Sequence, residues 1–305
     1  MTAYLNRATE VATEVAPNVD IRPETRMEGP VPALIELSRQ ARLIVLGSRG
    51  RGGFSSLLVG SAATGLAAHG HSPVAVIRGR TPTGPPPETG PIVVGVDGSP
   101  TSERAIAFAF DEAAFRDADL LAVHTWVDAA FESDFELTRN MVDWQAVEAT
   151  EERVLAERLA GWQERYPDVR VRRIVVRDRP APGLLSQAER ARMIIVGSRG
   201  RGGFTGMLLG STSRTLLHHA SCPVIIARPE DQSSRRASSR TKNGLPPVRP
   251  RTAAAVAAST GRPVIELTNP DTSSRSSPPR ATRTGSARAT CPRNVVRGGG
   301  GSVVR

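Results

Sequence analysis

Apolar and polar positions along this chain of 305 residues follow two periods. Short runs in which nearly every residue is apolar, such as PIVVGVD (91–97), DLLAVHTW (119–126), RMIIVG (192–197) and PVIIAR (223–228), have the length and β-branched content of buried strands. Between them the apolar residues recur at helical spacing. SPTSERAIAFAFDEAAFR (99–116) predicts a helix with Pro100 in its first turn, where a missing N–H costs nothing. From Arg139 to Tyr166, Met141, Trp144, Val147, Val154, Leu155, Leu159 and Trp162 mark a long helix that Pro167 ends. VRVRRIVVR (169–177) reads as a more polar strand near an edge, while PGLLSQAERA (182–191) and STSRTLLHHA (211–220) read as helices. Strands alternating with helices over 91–228 predict an α/β fold: a doubly wound, parallel, five-stranded, Rossmann-like sheet covered on both faces.

The chain also repeats itself. Residues 31–78 align without a gap on 181–228 at an offset of 150, with about 21 of 48 positions identical. The octapeptide GSRGRGGF occurs at 47–54 and again at 197–204, each time after an apolar run and five residues ahead of a Gly-Ser pair. GRTPTGPPPETG (79–90) suits neither helix nor strand and reads as a linker. At the same offset Met1 matches Glu151, so the first copy, 1–78, has no counterpart of 91–150. MTAYLNRATEVATEVAPNVDIR then reads as what remains of the long helix and the third strand. Such a truncated module lacks its first strand, first helix and second strand, and is expected to carry long unpaired edges unless another chain or element covers them.

Charge adds little to the folded part. Residues 1–228 hold 26 Arg and 26 acids, whereas 229–305 hold fourteen bases and four acids, so the whole net charge of +10 lies in the tail. That Arg-, Ser- and Pro-rich tail has no aromatic residue and is expected to be disordered. It reads either as a non-specific RNA, DNA or anionic-lipid binder or, more plainly, as read-through or frameshifted sequence. Cys222 and Cys291 imply no disulfide framework, and there is no long apolar run or export signal, so a cytoplasmic protein is expected.

Candidate chemistry gathers where the strands end. Asp97 follows the first strand of the second copy, and Gly197 ends the fourth; in an open α/β sheet both face the switch point where ligands bind. Glycines let a backbone approach a ligand closely and turn successive N–H groups inward around an anion. Gly210 and Ser211 would open the next helix, whose free N–H groups suit phosphate. Arg199 and Arg201 are charged to meet a phosphate tail, or else belong to a solvated loop. An Asp at this position is also a common helix cap. His124, His69, His218 and His219 read as packing or surface residues, and Trp126, Trp144 and Trp162 as core or interface. Residues 1–228 contain no lysine, which excludes a Walker loop, and the glycine run follows the fourth strand rather than the first, against a dinucleotide fingerprint. No metal-ligand cluster and no catalytic triad stands at recognisable spacing.

The glycine spacing G-x2-G-x9-G-[S/T], met by Gly197, Gly200, Gly210 and Ser211 and again by Gly47, Gly50, Gly60 and Ser61, resembles that of the universal stress protein family in its ATP-binding branch. The likeness covers about 70% of the chain and is similar to the tandem-domain members. It implies that Asp97 contacts ribose and a phosphate-bound Mg2+, and that Gly95, Thr125 and Val196 flank adenine. Gly197, Gly200, Gly210, Ser211 and Thr212 would hold ribose and phosphates, with the first copy a degenerate site. It further implies an ATP-dependent stress-signalling module, at most a slow ATPase, whose final strands pair between the two halves or between copies. The alternative is a nucleotide-free interaction protein.

Overall fold

The computed structural model describes residues 2–48, 59–81, 84–126, 143–201, 208–228, 255–257 and 264–268. All of these lie in one compact unit, 1–270.

The second repeat carries β4 (Ile92–Gly95), α4 (Pro100–Arg116), β5 (Leu120–Thr125), α5 (Trp144–Arg165), β6 (Val171–Val176), α6 (Pro180–Ala188), β7 (Met193–Gly197), α7 (Ser211–His219) and β8 (Val224–Ala227). Its five strands run in the order β6-β5-β4-β7-β8, and every neighbouring pair is parallel. The order reverses between β4 and β7, which sets the switch point where the sequence places it. The long helix begins later than its periodicity suggests. Asp143 caps it by accepting from the amides of Gln145 and Ala146, and 139–142 lie outside the described residues.

Alternation along the strands divides the core. Val93, Ile194 and Val196 face one side with Leu184 of α6 and Leu216 and Leu217 of α7. Ile92, Val94 and Ile195 face the other, against Ile106, Ala109 and Phe110 of α4 and Leu155 and Leu159 of α5. Trp162 stacks on Phe110 with the rings 6.0 Å apart and Tyr166 lies tilted against it at 5.5 Å, so Trp162 packs, partly buried, against the core.

The first repeat supplies α1 (Thr2–Val15), β1 (Asp20–Glu24), α2 (Pro30–Leu37), β2 (Ile44–Gly47), α3 (Ser61–His69) and β3 (Val74–Ile77). β2 and β3 are parallel, as β7 and β8 are. The last strands of the two repeats pair antiparallel, Val74 opposite Ile226 and Val76 opposite Val224. This joins both repeats into one sheet about a local pseudo-twofold. Arginines lock the seam reciprocally: Arg78 donates to the carbonyl of Leu217 at the end of α7 (2.7 Å), and Arg228 to those of Ala67 and Ala68 at the end of α3 (2.9 and 3.1 Å). Each arginine thereby satisfies helix-terminal carbonyls that have no intrahelical partner.

One expectation needs correction. The tail composition predicts no ordered element in 229–305, yet β9 (Ala255–Ala257) runs parallel to β2, and β10 (Val264–Thr268) bridges β9 and β1 antiparallel. The edges left open in the first repeat are covered by backbone pairing of these two short segments, which composition alone does not reveal. The rest of the tail lies outside the described residues.

Candidate functional site

The carboxyl ends of β4 and β7 meet at the switch point, and hydrogen bonds hold the turn after β4. The amide of Val96 continues the ladder to Val123 (2.9 Å), and the Asp97 amide donates to Ser102 Oγ (3.1 Å). The Asp97 carboxylate accepts from the Ser99 amide through Oδ1 (2.9 Å) and from the Arg201 amide through Oδ2 (3.1 Å). Asp97 is therefore not the cap of α4. That position is held by Ser99, whose Oγ accepts from the Ser102 amide, and this leaves the acid facing the glycine loop.

Close approach explains the glycines. A Cβ on Gly200 would stand 2.7 Å from Asp97 Oδ2, and one on Gly197 would stand 2.4 Å from Thr101 Oγ1 and 2.9 Å from its carbonyl carbon. The loop is held there by the start of α4: Thr101 and Ser99 both donate to the Arg199 carbonyl. At its far end the Gly210 amide donates to the Ser198 carbonyl (2.8 Å), and Ser213 in α7 donates to the Gly197 carbonyl (2.6 Å). Ser211 and Thr212 thus open α7 directly behind the loop, whose Arg199 and Arg201 are exposed. Gly98 has φ +77° and lies under the Arg158 guanidinium, which pairs with Glu103 at 3.0 Å.

The apolar part of the site lies beside Gly95. Val196 Cγ1 and Leu184 Cδ1 would touch a Cβ there at 3.0 and 3.1 Å, and Gly183 closes on Thr125. Gly95, Asp97, Thr125, Val196, Gly197, Arg199, Gly200, Gly210, Ser211 and Thr212 therefore all lie around one end of the sheet. Of the first copy, Gly47, Gly60 and Ser61 occupy matching positions at β2 and α3, and Gly50 lies outside the described residues.

Sequence reasoning missed several neighbours. Ser99 and Thr101 were signalled only by the hydroxyl-rich GSPTS, and Leu184 only by its place near the start of α6. Arg158 of α5 reaches the turn after β4 at Gly98, and Glu151, seven residues earlier, reaches His124 at the end of β5. His124 is buried, with Nδ1 2.6 Å from the Val96 carbonyl and Nε2 3.1 Å from Glu151 Oε2, so it is more than a packing residue. Trp126 and Trp144 flank Arg177, whose guanidinium is 3.8 Å from the Trp144 ring centroid. His218 and Cys222, whose pKa values depart from the ordinary ones, lie elsewhere. His218 is lowered by burial and then by His219, Arg214 and Arg78, and burial pushes the Cys222 thiol up to about 12. Among the described residues no three His, Cys, Asp or Glu side chains gather as a metal site, and no helix is long and apolar enough to cross a membrane.

Comparison with known proteins finds the universal stress protein family over residues 2–78 and 88–228. Universal stress protein Rv2005c of Mycobacterium tuberculosis is 48% identical over 211 residues, which cover 69% of this chain and 70% of that protein. Universal stress protein Rv2623 of the same organism is 48% identical over 199 residues, 65% of each. A solved universal stress protein from Archaeoglobus fulgidus is 23% identical, with a TM-score of 0.48 over 76% of this chain and 81% of that one.

Proposed function

The chain belongs to the universal stress protein family, and from that premise we propose that residues 91–228 form an ATP-binding module whose nucleotide state governs a stress-signalling interaction. The observation that carries the reading is the contact between Asp97 and the glycine loop. An acid at the end of the first strand and an amide 104 residues later are in hydrogen-bond contact, and Gly200 leaves no room for a side chain between them. Loop amides that already take a carboxylate oxygen are suited to phosphate oxygens, which have the same charge and acceptor chemistry.

In this reading adenine lies against Val196, Gly95 and Thr125, walled by Leu184. The ribose meets Asp97 and Gly197. The phosphates follow Gly200, Gly210, Ser211 and Thr212 at the start of α7, with Arg199 and Arg201 alongside in solvent. Asp97 is the single carboxylate in this set, so the residues do not build a cation site of their own. Mg2+ fits as an ion carried in on the phosphates, with Asp97 as its one protein ligand. When bound it would neutralise phosphate charge that Asp97 otherwise repels.

The test is the nucleotide content of the purified full chain, with calorimetric titration of ATP in the presence and absence of Mg2+. ATP should be found and should bind, and Asp97→Ala and Gly200→Val should each deplete it from the purified protein and weaken its binding. Wild-type protein that neither carries nor binds ATP refutes the proposal.

A further inference from the structure

His124 lies at the end of β5 with 4% of its surface exposed, and both of its ring nitrogens face acceptors. Nδ1 is 2.6 Å from the Val96 carbonyl, which can only accept, so that nitrogen carries a hydrogen. Nε2 is 3.1 Å from Glu151 Oε2, and one proton held between the two atoms completes the link.

We infer that His124 and Glu151 latch α5 to the turn carrying Asp97, and that this latch positions the nucleotide site. The inference rests on the ATP reading for its ligand, but not for its geometry. The Val96 carbonyl, in the turn after β4, is the last one before Asp97, and His124 supplies its partner. Removing the Glu151 acceptor unties Nε2 from α5, frees the ring, and takes from the Val96 carbonyl its fixed donor.

The other charged groups around the ring act in the same direction or are already matched. Asp97, Gly98, Arg158 and Arg201 share a small cavity with His124. Arg158 on α5 is paired to Glu103 of α4, and Asp97 is taken by the Ser99 and Arg201 amides. Glu151 is therefore the partner of Nε2 among the described residues, and it decides how firmly the ring is held. His124 and Glu151 are positioning residues in this scheme, with no contact to the ligand required of them.

Glu151→Gln and Glu151→Ala separate a latch from simple packing, because the amide keeps a hydrogen-bonding group against Nε2 and the methyl does not. In calorimetric ATP titration of the full chain at one pH, Glu151→Ala and His124→Leu should each lose about tenfold in affinity, and Glu151→Gln should stay within about twofold of wild type. Equal losses in Glu151→Gln and Glu151→Ala, or unchanged affinity in Glu151→Ala or His124→Leu, overturn the inference. Histidine-labelled full-length protein, observed by 15N NMR without nucleotide, should show the His124 ring signals moved by Glu151→Ala, and unmoved signals overturn the latch. If the wild type does not bind ATP, the nucleotide reading fails, and the ring signals still decide the latch.

Discussion

The two copies of GSRGRGGF are the same in sequence and unequal in surroundings. Both are entered and left identically: Ser48 and Ser198 donate to Ile77 and Ala227 across the neighbouring strand, and Gly60 and Gly210 donate back to Ser48 and Ser198, all at 2.8–2.9 Å. What differs is the strand alongside. Beside β7 stands β4, bringing Asp97 and, through α4, the hydroxyls of Ser99 and Thr101 onto the Arg199 carbonyl. Beside β2 stands β9, contributed from far along the chain, with no α4 following it among the described residues. Local sequence therefore sets how such a loop leaves its strand, while the adjacent strand and helix make it a site. The opposite faces of the two halves show the same asymmetry: Ile195 is fully buried under α4, whereas its counterpart Val45 is half-buried.

That asymmetry can be broken most severely in the core. Ile195→Ala removes a side chain packed between sheet and helix and should cost about 3–4 kcal/mol in urea unfolding. Val45→Ala, with solvent already reaching the site, should cost about 1 kcal/mol. Equal losses would mean that the first half is covered as well as the second.

At the loops themselves, Gly200→Val should weaken ATP binding by about a hundredfold, some 2.7 kcal/mol, because its Cβ displaces the Asp97 carboxylate. Gly50→Val, at the corresponding letter of the first copy, should leave the calorimetric affinity within about twofold. A loss of similar size in both would show that the first loop is also a site.

Much of this arrangement is legible in the amino-acid sequence. Strand-like runs such as MIIVG and VIIA, the helical recurrence of Val154, Leu155, Leu159 and Trp162, and the offset of 150 give the element order and fold class. The glycine spacing picks out Gly197, Gly200 and Gly210, and the end of a buried strand picks out Asp97. Contacts set by tertiary packing are not legible there. That Ser99 and not Asp97 caps α4 depends on where the turn ends, since several residues of DGSPTS qualify equally as caps. The roles of Leu184, Glu151 and Arg158 depend on how α5 and α6 rotate onto the sheet, which periodicity fixes only to within a face. β9 and β10 are hidden because edge pairing is made by backbone groups that every sequence possesses.

The reciprocal arginines offer a finer comparison across the seam. Arg228 holds two carbonyls at the end of α3, and Arg78 is seen on one at the end of α7. Arg228→Ala and Arg78→Ala should each destabilise by about 1.5–2 kcal/mol, read as a shift in the urea midpoint. If neither substitution moves it, the β3–β8 pairing alone joins the repeats.

The smallest effect separates the repeats by pH. His218 in α7 corresponds at the offset of 150 to Ala68 in α3, so only the second repeat carries an imidazole there. Its pKa is lowered from 6.5, first by burial and then by His219, Arg214 and Arg78, the last reaching across the seam. A lowered value means that the fold prefers the neutral ring, so between that value and 6.5 the unfolded chain binds more protons than the folded one. Stability from this group is complete above 6.5 and is lost as pH falls below it toward the folded value. Thermal midpoints of wild type should thus fall on mild acidification relative to His218→Ala, and the difference should shrink in Arg78→Ala, where one opposing charge is gone. A wild-type midpoint that rises relative to His218→Ala over the same acid range would mean that the imidazolium is welcomed at the end of α7, and that the arginine reaching over from the first repeat does not oppose it.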